Sequence, residues 1–172
     1  MSNWDALKKR LDGLQRPTTT FTICQDPEAR QRLYEAKAGL RAAETTLAGV
    51  PDDDEAGQAV AQTRVEVATM ERDAAQKAFD KVAIVLTFEA LERKRFEDLL
   101  KAHPPEELDE ADGADFAMES FGPALIEAAS KDGIPADYAR HLLDTWSPAD
   151  AQALFTAAWS VQHTERADLG KG

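Results

Sequence analysis

The sequence is poor in the residues from which active sites are usually built. It has one cysteine, Cys24, which excludes an intramolecular disulfide and suits a reducing compartment. With no histidine near it in sequence, Cys24 reads as a small buried or edge-strand residue rather than a nucleophile. The three histidines, His103, His141 and His163, stand in separate segments, none at metal-ligand spacing from another ligand. Each reads as a solvent-facing or helix-terminal side chain. The nine glycines nowhere form a phosphate-cradling loop. No apolar run approaches the roughly 18 residues that cross a bilayer. "MSNWDALKKRLDGL" has basic residues without the apolar stretch of a secretory signal, and reads instead as a short amphipathic helix. These gaps predict a soluble, non-enzymatic chain with no cofactor, no metal and no membrane partner.

What is present is helix-forming and acidic. Of 172 residues, 43% are apolar but only 7% aromatic, so a core is within reach and it is alanine-rich. The net charge of −12 is uneven: residues 1–88 carry 12 basic and 14 acidic side chains, residues 89–172 carry 8 and 18. Such a surface repels a phosphate backbone and favours solubility, which argues against a nucleic-acid partner.

"TTTFTICQ" alternates, placing Phe21 and Ile23 on one face of a half-buried strand over residues 18–25. Asp26, Pro27 and Glu28 then supply a cap, a first-turn proline and a first-turn acid, so a long helix is expected to begin there. Its seam is Leu33, Ala36, Leu40, Ala43, Leu47 and Val50, at coiled-coil spacing, and it ends near Gly49. After "VPDDDEAGQ", whose acids read as a hairpin tip, a second helix is expected to about residue 80. Its predicted seam is Val60, Val67, Met70, Ala74 and Ala78, with Thr63 interrupting. The two make an antiparallel helical hairpin inserted between two strands.

"KVAIVLTFEALERKRFEDLLKAHPP", residues 81–105, then switches from strand to helix without a glycine. Val82, Ile84, Leu86 and Phe88 share one strand face, and pairing with the first strand gives a ribbon too small to stand alone. The helix over residues 89–102 covers it through Leu91, Phe96, Leu99 and Leu100, until Pro104 and Pro105 forbid its continuation. The fold class predicted is mainly α with a small two-stranded antiparallel sheet and a C-terminal helical bundle. The boundaries are 1–103, an acidic linker at 104–115, and 116–172. "DEADGAD" in that linker fails as a calcium loop: with Gly113 at the sixth position the first would be Leu108, which cannot ligate.

Three short helices are expected beyond the linker. Pro123 opens the first, which carries Leu125, Ile126 and Ala129 inside. The second spans 135–145 with Tyr138, Leu142 and Leu143 facing in, and Ser147, Pro148 and Asp150 cap the third, whose stripe is Leu154, Phe155, Ala158 and Trp159. The last residues, "TERADLGKG", look frayed. Leu154, Phe155 and Trp159 read first as the core of a helical bundle; Phe116, Phe121, Trp146 and Trp159 are still many aromatics for so small a unit, which leaves a groove for a partner helix or apolar peptide as the second reading. The candidate protein-binding residues are Phe88, Phe96, Leu99, Phe116, Phe121, Leu125, Trp146, Leu154, Phe155 and Trp159.

The order and spacing of these pieces resemble the tail assembly chaperones of long-tailed phages and prophages of actinobacteria. The residues carrying the resemblance are Phe88, Leu91, Leu99, His103, Pro104 and Pro105; Phe116, Phe121, Pro123 and Leu125; then Trp146, Ser147, Leu154 and Ala158, within residues 18–163. The resemblance implies a non-enzymatic protein of the host cytoplasm, absent from the finished virion. It would self-associate and keep the apolar, helix-rich tape measure protein soluble while tail-tube protein assembles around it. No binding role carries over to residues 26–80. The alternative expectation is a structural tail or head-completion protein that uses its coiled coil as a connector.

Overall fold

The structure, a computed structural model, describes residues 2–106 and 113–165. It is mainly helical with a small two-stranded antiparallel sheet. In chain order the elements are α1 (Asn3–Asp12), β1 (Thr18–Ile23), α2 (Pro27–Ala48), α3 (Glu55–Val82), β2 (Ile84–Glu89), α4 (Arg93–Ala102), α5 (Met118–Ala129), α6 (Ala136–Thr145) and α7 (Pro148–Ser160), closed by a 3-10 turn, Val161–His163. Two compact units divide the chain: residues 22–85, and residues 1–21 with 86–172.

In the first unit α2 and α3 pack against one another. Asp26 Oδ1 accepts hydrogen bonds from the Glu28 and Ala29 amides at 2.9 and 3.0 Å, satisfying donors that a helix start leaves free. On α2 the more buried positions are Ala29, Leu33, Ala36, Leu40, Ala43 and Leu47, with Val50 just beyond, which is the expected seam. On α3 the expected seam is wrong by about a third of a turn. Val60, Val67 and Met70 are exposed, and the protected positions are Ala61, Val65, Ala68, Arg72, Ala75 and Phe79. Both α3 series have three-four spacing, and the one turned to α2 places alanines at 61, 68 and 75 beside Val65 and Phe79. Arg72 interrupts it. Its Nε is buried and lies 2.7 Å from Asp73 Oδ1 without making a hydrogen bond. α3 also runs to Val82, so the strand begins at Ile84 rather than Lys81, and Ile84 is exposed.

The second unit is built around one core of Phe88, Phe121, Leu125, Ile126, Ala139, Leu142, Leu154, Phe155, Ala158 and Val161. Phe88 is wholly buried and bridges to Ser130 in antiparallel fashion. The Lys131 amide donates to the Thr87 carbonyl at 2.9 Å and the Thr87 amide donates to Asp132 Oδ2 at 2.6 Å. β2 is thereby fastened to the end of α5. The acidic linker is therefore not a boundary between cores, because β2 and α4 share theirs with the helices that follow. Residues 107–112 of that linker, including Leu108, and the frayed-looking residues from 166 onward lie outside the described residues.

Local chemistry explains most joints. α5 begins at Met118, not at Pro123; the Phe121 amide bonds the Ala117 carbonyl at 2.9 Å, and Pro123 sits inside the helix, buried. The proline costs one backbone bond, to the Glu119 carbonyl, and contributes apolar surface to the core. Gly133, at φ +78°, turns the chain between α5 and α6 in a conformation that side chains resist. Ser130 Oγ accepts from the Asp132 and Ile134 amides across that turn, both at 3.2 Å. α6 lacks a capping side chain of its own, and Glu127 Oε1 serves instead, accepting from the Ala136 amide at 3.1 Å. Tyr138 points outward, contrary to expectation, and Ala139 takes the buried place beside Leu142. Ser147 caps α7 as expected, accepting from the Asp150 amide at 3.2 Å.

Candidate interaction surfaces

Most of the candidate binding residues turn out to hold the fold together. Phe88, Phe121, Leu125, Leu154 and Phe155 are buried, while Phe96, Leu99, Phe116, Trp146 and Trp159 are half-buried and packed on the same core. Phe116 and Phe121 lie with ring centroids 4.3 Å apart, Trp159 stands 5.2 Å from Phe116 and 5.8 Å from Phe96, and Phe21 stacks on Trp146 at 6.3 Å. The aromatics that suggested a groove thus fill one another's space, and burial of each contributes about 1.5–3 kcal/mol. The histidines join the packing. His163 Nδ1 is 3.0 Å from the Trp159 carbonyl with its ring against Trp159, and His103 lies edge-on to Phe121 at 6.2 Å.

Among the described residues three other apolar surfaces are open, and two of them, on α1 and α3, were visible in the sequence as helix faces. The first is a groove of about 590 Å³ where α5 and α6 meet the start of α7. Its floor is Ala117, Pro123, Leu143 and Ala151, with Met118 at the edge; its rim is charged, with Glu106, Glu119 and Asp144 against a single cation, Arg140. Gly122 makes the floor possible, because a Cβ there would stand 3.3 Å from Leu143 Cδ1. That glycine, beside a proline in a helix, was the available sequence signal.

The second surface is α1. It has no buried residue, and Trp4, Leu7 and Leu11, with Leu14 following, present one continuous exposed stripe. The helix is nonetheless well finished. Ser2 Oγ accepts from the Asp5 amide at 3.2 Å, while the Ser2 hydroxyl at 2.7 Å and then the Ser2 amide at 3.0 Å donate to Asp5 Oδ2 and hold that carboxyl below its ordinary range. The third surface is the outer face of α3, with Val60, Val67 and Met70.

Electrostatics are concentrated at one place in the second unit. Glu89 pairs with Arg16 at 2.8 Å and with Lys131 at 3.2 Å, and Arg16 also reaches Glu92 at 3.5 Å. The Arg16 guanidinium, then the Lys131 ammonium, hold the Glu89 carboxyl below the usual glutamate range. With the Ala90 amide bonded to the Pro17 carbonyl at 2.8 Å, this cluster fixes where the chain leaves α1. Among the described residues no group of three or more His, Cys, Asp or Glu is placed to hold a metal, and no helix is long and apolar enough to cross a membrane. Comparison with known proteins gives no matching family model, no curated relative and no solved structure of similar fold.

Proposed function

We propose that the chain is a phage tail assembly chaperone that binds apolar helices of the tape measure protein and keeps them soluble during tail-tube assembly. The observation that carries this reading is the open groove of α5, α6 and α7, with an apolar floor and a charged rim. That is the form in which proteins commonly receive one face of an amphipathic helix. An overall charge of −12 keeps a complex with an aggregation-prone client in solution. The order of elements adds to it, being that of the chaperones the sequence resembles.

On this reading the protein works in the host cytoplasm, self-associates, meets the tail tube protein through its client, and is left out of the virion. α2 and α3 form an antiparallel coiled-coil hairpin between the strands. The test is co-expression with the tape measure protein. The client is expected to be soluble and to co-purify only when the chaperone is present; equal solubility without it, and no complex, overturns the proposal. The exposed Val60, Val67 and Met70 favour a second reading, a structural tail or head-completion component that docks through α3. Detection of the chain in purified virions by mass spectrometry selects that reading and removes the first.

A further inference from the structure

An isolated helix of fewer than about 12–15 residues is marginal in water. α1 has 10 residues, none of them buried among the described residues, yet it carries a complete capping box, Lys9 and Arg10 at its negative end, and a stripe of Trp4, Leu7 and Leu11 at three-four spacing. Such a helix is built for docking. Lys8 and Arg10 flank the stripe on its two sides, since they lie about 80° around the helix in opposite directions from the midline of Leu7 and Leu11. The same chain holds a surface of largely opposite pattern: the groove whose lining joins an apolar floor to Glu119 on α5 and Asp144 on α6, both exposed, with Arg140 as the one cation among the described lining residues. An apolar ridge edged by cations faces, in chemistry, an apolar trough edged by carboxylates.

We infer that the occupant of this groove in the free protein is α1 of a second copy of the chain, with Trp4, Leu7 and Leu11 on the floor and Lys8 and Arg10 against Glu119 and Asp144. Occupation from the neighbouring copy follows from how α1 is tethered. Arg16 and Pro17 are fixed to Glu89 and Ala90 on β2, and α1 stands beyond them with its stripe exposed instead of folding back. Contact between α1 and a groove elsewhere on the molecule is heterologous, so it closes a ring or a reciprocal pair, or propagates. A client helix would compete for the same groove, but the self-association itself requires no client and is tested without one.

The test is sedimentation equilibrium of the full chain up to about 100 µM, in low and high salt. The wild type is expected to associate, more weakly as salt rises. Lys8→Glu/Arg10→Glu and Glu119→Lys/Asp144→Lys should each weaken association by about tenfold or more. Mixing the two variants should restore it, because the reversed helix then meets the reversed groove. Leu7→Asp/Leu11→Asp should be monomeric with unchanged circular dichroism in the core region, since these side chains contribute nothing to the core. A wild type that stays monomeric throughout overturns the inference, whether α1 then proves free, folded onto its own groove, or bound only to added anionic vesicles. Association that survives both charge reversals overturns it as well, and points to another surface such as the outer face of α3.

Discussion

Replacing Phe121 by alanine separates a core from a binding groove more sharply than any other single change. The side chain is fully buried, with Phe96, Phe116, Trp159 and His103 around it at ring-centroid distances of 6.4, 4.3, 6.0 and 6.2 Å. Truncating a phenylalanine in such a setting costs about 3–5 kcal/mol: the transfer energy of the lost ring plus that of a cavity which four anchored neighbours cannot collapse to fill. A domain of this size is stable by only about 5–15 kcal/mol, so the loss is a large fraction of the whole. With a urea m-value near 2 kcal/mol/M, the midpoint should fall by roughly 2 M. The assay is urea unfolding followed by tryptophan fluorescence, because Trp146 and Trp159 lie in the same core. A midpoint shift below about 0.5 M would refute the reasoning, since Phe121 would then not be holding the fold.

Three further outcomes follow from the geometry. Leu40→Asp places a charge on the protected face of α2 and should lower the helicity and melting temperature of the α2–α3 pair by the equivalent of about 2–4 kcal/mol, leaving fluorescence of the second unit unchanged. Arg72→Leu should raise that melting temperature, by the equivalent of about 1 kcal/mol, because an apolar side chain replaces a buried, poorly bonded Nε. Glu89→Gln should cost about 0.5–1 kcal/mol at pH 7. Because the folded carboxyl titrates below its ordinary value of about 4.3, its contribution is present above that pH and lost as pH falls through the lowered value. Wild type and variant should therefore converge in thermal stability as the pH is taken down through and below the usual glutamate range, and a gap that does not narrow on acidification would contradict this account.

The sequence was informative wherever a signal had a single reading. α2 could be placed because Asp26 and Pro27 mark its start and Leu33, Leu40 and Leu47 outweigh anything on its other faces. Ser147, Pro148 and Asp150 likewise fixed the start of α7. α3 misled because two stripes of equal spacing compete on it. Val60, Val67 and Met70 form an unbroken apolar set, while the packed series is half alanine and is interrupted by Arg72, so the wrong face was favoured despite Val65 and Phe79. Pro123 misled for a related reason: a proline usually opens a helix, and only the tertiary gain from its burial makes an internal position tolerable. The aromatic residues read first as core, with a groove as the alternative because of their number, and ring contacts among Phe96, Phe116, Phe121, Phe155 and Trp159 gather them in one cluster. The floor of the groove that does exist is alanine, proline and a single leucine brought together around α5, α6 and α7, a juxtaposition that no periodicity announces.

The central claim is that this groove receives an apolar helix of the tape measure protein. Amide hydrogen exchange of the protein, alone and in the co-purified complex, reads it directly. The account predicts slower exchange in α5 and α6 along the groove, from Met118 to Pro123 and from Arg140 to Asp144, on complex formation. Exchange unchanged there, with protection appearing only on the outer face of α3, would contradict it.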